Sequence, residues 1–259
     1  MLPSLLARPF SLLPPRRPLA PPNPNPNPHS PFRFPPPASM VDTRACKVVF
    51  FLGGPGSGKG TQCNLLVESS NEFVHLSAGD LLREERERGG EVGDMIEHYI
   101  KEGLIVPHEV TIGLLKRRML ETPEKSFLID GFPRKLDQCL AFEETVCQAR
   151  GCLVIDAPDE VILERLLERG KTSGRIDDNP ETIQKRLDVY HSTTVNVYDH
   201  FEESDRLVRV DGTAPKEAVF LKVKAAVDGL ISRETTSSAP SVSPRAPSPL
   251  SAVEPAASH

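Results

Sequence analysis

A glycine-rich loop between an apolar run and a helical pattern is the feature that most constrains this chain. The run Lys47 to Leu52 is apolar after its first residue, which is typical of a strand buried on both faces. The loop after it, Gly53 to Thr61, reads G-x-x-x-x-G-K with threonine one place later than in the commonest form. Glycines permit positive φ, so that successive N–H groups and a helix N-terminus can bind phosphate. The loop therefore predicts a nucleoside triphosphate site formed by Gly56, Ser57, Gly58, Lys59, Gly60 and Thr61.

Strand-like and helix-like segments alternate through the rest of the central block. Further strands are predicted over 73–76, 126–130, 152–156 and 206–210. Helices are predicted over 58–69, 80–88, 92–102, 109–121, 136–149, 159–169 and 215–231, and another begins at Asn179-Pro180-Glu181. Such alternation predicts an α/β fold of the P-loop NTPase class, with a parallel sheet flanked by helices. Ligands are then expected at the carboxyl ends of the strands.

The two ends of the chain differ in composition from this block. Residues 1–44 are dominated by proline, and no acidic residue precedes Asp42. Residues 235–259 are rich in serine, proline and alanine. Neither end has apolar periodicity, so we expect a disordered leader and a disordered tail around one domain at 45–234.

The leader leaves the cellular location open. Four arginines without acidic neighbours resemble an organellar transit peptide, but the many prolines oppose the amphipathic helix that mitochondrial presequences use. An inert extension, or a true start at Met40, is the favoured interpretation. The five cysteines form no C-x-x-C pair and are expected to be reduced thiols, which favours the cytoplasm, with the nucleus as a further location.

Charge and hydropathy exclude two classes of protein. The formal net charge of -5 argues against a nucleic-acid binder held by bulk electrostatics. The sequence has no run of eighteen apolar residues, so no membrane-spanning helix is expected. A small anionic substrate remains compatible with the charge, because a few arginines can converge in one cleft.

Four motifs in order resemble the adenylate-kinase-like family of nucleoside monophosphate kinases, over about 47–231. They are the loop ending Gly60-Thr61-Gln62, the segment 77–83 (SAGDLLR), the turn 128–134 (LIDGFPR) and the segment 168–179 (ERGKTSGRIDDN). Within the family, Ala78 and the segments 100–107 and 170–175 are typical of the UMP–CMP kinase branch. The resemblance implies a five-stranded sheet, a helical segment at about 77–107 that binds the nucleoside monophosphate, and a short LID at about 169–179.

The resemblance also implies roles for individual residues. Lys59, Arg134, Arg175 and Arg186 would be catalytic, and Arg169 and Ala214 would lie on the ATP side. Asp177 and Asp178 would orient the LID arginines. The residues expected to bind the monophosphate are Ala78, Arg83, Leu104, Ile105, Val106, Gly131, Phe132, Pro133, Arg134, Gln138, Arg175 and Arg186. Arginine suits these places, because its planar fork binds phosphate oxygens in pairs and keeps its charge.

The expected chemistry is Mg²⁺-dependent transfer of the ATP γ-phosphoryl group to a nucleoside monophosphate. The protein must align donor and acceptor, neutralise charge and exclude water. Asp130 would hold the Mg²⁺ ion through its waters. The LID is short and contains no cysteine, so no zinc is expected. The family implies a monomer with ATP and a nucleoside monophosphate as its only implied partners.

The acceptor base is less certain than the reaction. Ala78 favours UMP, CMP and dUMP, whereas Gln138 stands where many UMP–CMP kinases have asparagine and adenylate kinases have glutamine. UMP is the first choice and AMP a weaker substrate. Three alternatives stay open: an adenylate kinase, an inactive nucleotide-binding scaffold, and a P-loop kinase acting on an alcohol.

Overall fold

A five-stranded sheet forms the centre of the molecule. The computed structural model describes residues 47–122 and 125–233. All the strand pairs are parallel, and the spatial order is β2-β3-β1-β4-β5. The strands are β1 (Lys47–Leu52), β2 (Phe73–Ser77), β3 (Ser126–Asp130), β4 (Gly151–Asp156) and β5 (Leu207–Asp211). The parallel five-stranded sheet predicted from the alternating pattern is confirmed.

Helices connect successive strands and cover the sheet. Their bounds are α1 (Lys59–Ser69), α2 (Ala78–Arg88), α3 (Gly90–Lys101), α4 (His108–Leu120), α5 (Leu136–Thr145), α6 (Asp159–Gly170), α7 (Pro180–Val189), α8 (Asn196–Glu202) and α9 (Lys216–Ser232). A five-residue π-helix, Tyr190–Thr194, lies between α7 and α8.

Both faces of the sheet are buried, as the continuous apolar run of β1 predicts. Val48, Phe50 and Leu52 face a core shared with α4, α5 and α8. Val49 and Phe51 face a second core shared with α1 and α9. The central strand is therefore shielded from solvent on each side, and its carboxyl end is a fixed platform for the loop that follows it.

The predicted helix over 136–149 is too long. α5 ends at Thr145, and Val146 has φ -120° and ψ -75°, outside the helical region. The Ala149 N–H donates to the Glu143 carboxylate at 3.1 Å, and the Arg150 N–H donates to the Val48 carbonyl at 2.7 Å. These bonds turn the chain into β4, so tertiary contacts override the helical pattern of the sequence.

The helix start predicted at Asn179 is present. The Asn179 Oδ1 accepts from the Thr182 N–H at 2.9 Å, and Pro180 is the first helical residue. Neither the π-helix nor α8 was predicted from the sequence. No helix in the described ranges is both long and apolar enough to cross a bilayer. The predicted leader and tail lie outside those ranges.

Candidate active site

A cleft of about 740 Å³ opens where the carboxyl ends of β1, β2 and β3 meet. All the predicted ATP-binding and monophosphate-binding residues line it, together with Asp130 and Asp177. Asp178 does not line the cleft but lies behind Arg169. The sequence motifs are far apart along the chain, and the parallel sheet brings them to one edge.

The glycine-rich loop has the backbone geometry that its composition predicts. Gly53, Gly56 and Gly58 have φ values of 131°, 82° and 103°, where glycine is favoured. A Cβ at Gly53 would lie 2.3 Å from the Ile155 carbonyl oxygen, so only glycine fits between β1 and β4. The loop leads directly into α1, whose N-terminal N–H groups add to a phosphate-binding concavity.

Lys59 is held against this loop. Its Nζ donates to the Gly54 carbonyl at 2.8 Å and to the Gly53 carbonyl at 3.1 Å. Burial lowers the pKa of Lys59 to about 8, although the nearby Asp130 carboxylate acts in the opposite direction. A phosphate in the loop would supply the negative charge that favours the protonated form.

A second cationic group lies across the cleft. The Arg134 Nε donates to the Gly131 carbonyl at 3.0 Å, which fixes the guanidinium at the turn after β3. Burial lowers the pKa of Arg134, but an arginine keeps its charge at neutral pH. Arg83, one turn into α2, forms an ion pair with Asp80. These two arginines can hold an anion that faces the phosphate loop.

The LID arginines are tied to two buried aspartates and to α2. Arg169 makes two bonds to the Asp178 carboxylate, at 2.8 and 2.6 Å, and Asp178 has no exposed side-chain surface. Arg186 pairs with Asp177 at 2.7 Å. Burial would raise the pKa of Asp178, but hydrogen bonding and charge from Arg169 outweigh it, so the pKa is lowered.

Arg175 crosses from the LID to the segment 77–107. Its Nη2 lies 3.3 Å from the Asp80 Oδ1. Asp80 thus contacts both Arg83 and Arg175. With Arg186, whose pKa burial lowers to about 10, the cleft contains several guanidinium groups that are charged at neutral pH.

Asp130 has the surroundings that a Mg²⁺ site requires. Within the described part of the chain its carboxylate accepts no hydrogen bond, and the His75 Nε2 lies 3.7 Å from the Asp130 Oδ2. A Cβ on Gly60 would lie 3.4 Å from the Asp130 Oδ2, so the carboxylate faces the phosphate loop. Free carboxylate oxygens beside a triphosphate site can hold the waters of a Mg²⁺ ion.

The predicted base-reading residue is buried and not on an exposed helix face. Gln138 is 4% exposed and lies beside Val106. Its Oε1 accepts from the Arg134 N–H at 2.8 Å, and its Nε2 donates to the Val106 carbonyl at 3.3 Å. Ala78, at the start of α2, lines the same side of the cleft.

Sequence reasoning missed Arg165. Its Nη2 donates to the Gly212 carbonyl at 2.9 Å, and its side chain lines the cleft one turn before Arg169. The two arginines are four residues apart on α6 and therefore lie on one helix face. That spacing was a signal in the sequence, but nothing marked the loop after β5 as its partner.

Several known proteins are similar to this chain over most of the described residues. The family model "Adenylate kinase" matches residues 51–206. A uridylate kinase of Schizosaccharomyces pombe is 50% identical over 177 residues, covering 67% of this chain and 93% of the relative. A UMP-CMP kinase of Lentinula edodes is 48% identical, with coverages of 73% and 88%. An adenylate kinase 1 of Schistosoma mansoni is 44% identical, with coverages of 71% and 95%.

Proposed function

The chain belongs to the adenylate kinase family, and from this premise we propose that its main phosphoryl acceptors are pyrimidine nucleoside monophosphates. It is a nucleoside monophosphate kinase, an enzyme that transfers a phosphoryl group from ATP. UMP is the preferred acceptor, CMP and dUMP follow, and AMP is a weaker one. The reaction is reversible and yields ADP and a nucleoside diphosphate for pyrimidine nucleotide synthesis.

One observation carries this function: two phosphate-binding groups face each other across one cleft. The loop with Lys59 lies at the end of β1, and Arg83 and Arg134 lie at the ends of β2 and β3. A hydrolase needs only the first group. The second group suits an acceptor that is itself a phosphate, because its oxygens are already ionised and need no catalytic base.

The proposed roles follow from this arrangement. Lys59 and the loop N–H groups hold the β- and γ-phosphates of ATP, and Arg134 with Arg83 holds the acceptor phosphate. Arg175 and Arg186 reach the transferring group from the LID and α7 and offset its charge. Arg169 and Ala214 lie on the ATP side, and Asp177 and Asp178 orient the LID arginines. Contact between the LID and α2 excludes water that would hydrolyse ATP.

We further propose Mg²⁺ as the metal. Asp130 would hold it through waters, and the ion would neutralise charge on the phosphates of ATP. Zinc is not required, because the LID residues 170–179 include no cysteine.

The wider properties of the protein are proposals of the same kind. They comprise a monomer without nucleic-acid or membrane partners, in the cytoplasm and also the nucleus, with organellar import as the lesser alternative. Reduced thiols support the intracellular part of this proposal: Cys63, Cys139 and Cys152 are free and buried. The domain limits, 45–234 with a leader at 1–44 and a tail at 235–259, remain a prediction.

The choice of a pyrimidine rests on Ala78 and on the names of the relatives, uridylate kinase and UMP-CMP kinase. Adenylate kinase is the second candidate, because Gln138 is typical of that branch and one relative bears that name. The base itself is the point at which the two candidates differ.

Product analysis tests the proposal. The full chain is incubated with Mg²⁺, UMP and ATP labelled in the γ-phosphate, and the nucleotides are separated by anion-exchange chromatography. Label in UDP with equimolar ADP is expected, and no free phosphate. Label in free phosphate alone would identify a hydrolase. Absence of any transfer would indicate an inactive nucleotide-binding scaffold.

A further inference from the structure

The orientation of the Gln138 amide is fixed by the protein. Its Oε1 accepts from the Arg134 N–H at 2.8 Å, and its Nε2 donates to the Val106 carbonyl at 3.3 Å. Turning the amide by half a revolution would set two donors together at Arg134 and two acceptors together at Val106. Gln138 therefore offers a ligand one remaining N–H and one remaining lone pair, in an order that does not reverse.

Uracil and cytosine need opposite arrangements of donor and acceptor on the protein. Uracil presents a donor at N3 and an acceptor at O4, whereas cytosine presents an acceptor at N3 and a donor at its amino group. An amide that cannot turn complements one of these edges better than the other. A pocket that accepts both bases therefore needs another polar group whose role can reverse, and a hydroxyl reverses by simple rotation.

Thr111 supplies a hydroxyl with no partner. It lies in the first turn of α4, is 5% exposed and lines the nucleotide cleft. Its backbone N–H lies 3.4 Å from the Pro107 carbonyl, while its hydroxyl makes no hydrogen bond within 47–122 and 125–233. The chain entering α4 is Val106-Pro107, and Val106 is the residue that holds Gln138.

The residues that precede α4 are apolar. Leu104, Ile105 and Val106 line the cleft, and their side chains form no hydrogen bonds. A hydroxyl that a bound base shields from water costs free energy unless the base itself satisfies it. The polar edge of an acceptor base is a ligand that could do so.

We infer that Thr111 is a specificity-determining residue whose rotatable hydroxyl lets the acceptor pocket take both uracil and cytosine. This inference rests on the proposed function. The locked amide complements one base, and the hydroxyl turns to donate to or accept from the other. Removing the hydroxyl should therefore change the ratio of the two activities, and should do more than lower both equally.

The test measures kcat/KM for UMP and for CMP with the full chain at saturating Mg·ATP. Thr111→Val keeps the branched shape and removes the hydroxyl, and Thr111→Ser keeps the hydroxyl. Thr111→Val is expected to change the UMP to CMP ratio by about fivefold or more, which is the effect of one net hydrogen bond. Thr111→Ser should stay within about twofold of the parent.

Thr122→Val is the matched control. Thr122 follows the other end of α4, and its hydroxyl is buried and makes no hydrogen bond to the described residues, but it does not line the cleft. This variant should leave the ratio unchanged. Should Thr111→Val fail to fold, Thr111→Ala paired with Thr111→Ser makes the same comparison.

The outcomes separate the inference from its premise. A parental ratio in Thr111→Val overturns the inference, as do equal shifts in the valine and serine variants, which would indicate packing. A parent enzyme that uses UMP and CMP alongside either result leaves the proposed function intact. A parent that uses neither base removes the proposed function and this inference with it.

Discussion

At the scale of the residue, Lys59 is the group on which donor binding depends. Its Nζ already lies within 3.1 Å of two loop carbonyls, so the ammonium is positioned before ATP arrives. Lys59→Ala removes that charge without opening the apolar core. We expect phosphoryl transfer to fall below about a tenth of the parent rate, because a transition-state contact is lost.

Circular dichroism and melting temperature should show that the Lys59→Ala variant still folds. Lys171→Ala is the control, since Lys171 is an exposed LID lysine paired with Glu168. It should retain nearly parental turnover. Retained activity above a tenth of the parent in Lys59→Ala would contradict the role of Lys59.

The lowered pKa of Lys59 gives a second prediction. The free enzyme loses the Lys59 charge as pH rises through about 8, because burial favours the neutral amine. kcat/KM for Mg·ATP should therefore fall above about pH 8. The profile of kcat should stay flatter through the same range, because bound phosphates hold the proton on Lys59. Two parallel profiles would refute this explanation.

The residues that could be predicted from the sequence are those whose role is local. Lys59 stands in a glycine-rich loop, and Arg134 stands at a strand end beside a turn, so each carries its own context. The contact between Arg165 and Gly212 depends on the fold, because it joins residues 47 positions apart. The same is true of Arg175 and Asp80, which are 95 positions apart.

At the scale of the element, the buried Asp178 carboxylate is one of the groups that hold the LID. Asp178 accepts two bonds from Arg169 and one from the Ser173 hydroxyl. Asp178→Asn replaces an acceptor-only group with a donor and releases the Arg169 fork. kcat/KM for ATP should fall by up to about a hundredfold, because small misplacement of a phosphate-binding group is costly.

The measurement is a saturation curve in Mg·ATP at fixed UMP. Glu168→Gln serves as the control, since Glu168 is exposed and pairs with the exposed Lys171. If Asp178→Asn matched this control, the ion pair between Arg169 and Asp178 would have no part in catalysis.

Element boundaries were the least predictable part of the fold. The helical pattern after Leu136 continues past Thr145, yet bonds to Glu143 and Val48 end α5 there. The π-helix Tyr190–Thr194 is closed by the Val195 N–H, which donates to the Tyr190 carbonyl at 3.2 Å. The end of α5 depends on Val48, a partner elsewhere in the fold, and the bond that closes the π-helix spans five residues; periodicity reveals neither.

At the scale of the whole molecule, the sheet positions the site, and a polar network of Glu143, His200 and Arg206 joins elements that pack on the sheet. Glu143 on α5 accepts from Arg206 at 2.7 Å, and His200 on α8 lies 3.2 Å from the same carboxylate. The side chains of Glu143 and Arg206 are 13% and 15% exposed. The network joins α5, α8 and the start of β5, and none of its members lines the cleft.

Glu143→Ala should therefore destabilise the domain and spare its chemistry. Breaking a buried pair leaves an uncompensated charge at a cost of about 3 kcal/mol. For a domain of this size the melting temperature should drop by about 6 to 12 °C. Calorimetry measures the loss. Asp228→Ala, which breaks the exposed pair with Lys224, should change stability by under about 0.5 kcal/mol.

The class of fold, in contrast to its boundaries, was predictable from the alternation of elements. Buried parallel strands need apolar runs, and βαβ connections bring their carboxyl ends to one edge. Phe50 and Phe51 show why a buried strand needs a continuous apolar run: they are neighbours in sequence but pack on opposite faces of the sheet. The base preference has no such simple pattern, because it depends on a few hydrogen bonds around Gln138.

The most direct test of the central claim is the ratio of kcat/KM for UMP to that for AMP, measured by coupled ADP release at saturating Mg·ATP. We expect a ratio well above one, with CMP and dUMP between UMP and AMP and with GMP inactive. A ratio of one tenth or less, about 1.4 kcal/mol in favour of AMP, would make the protein an adenylate kinase. It would contradict the interpretation that Ala78 indicates a pyrimidine acceptor.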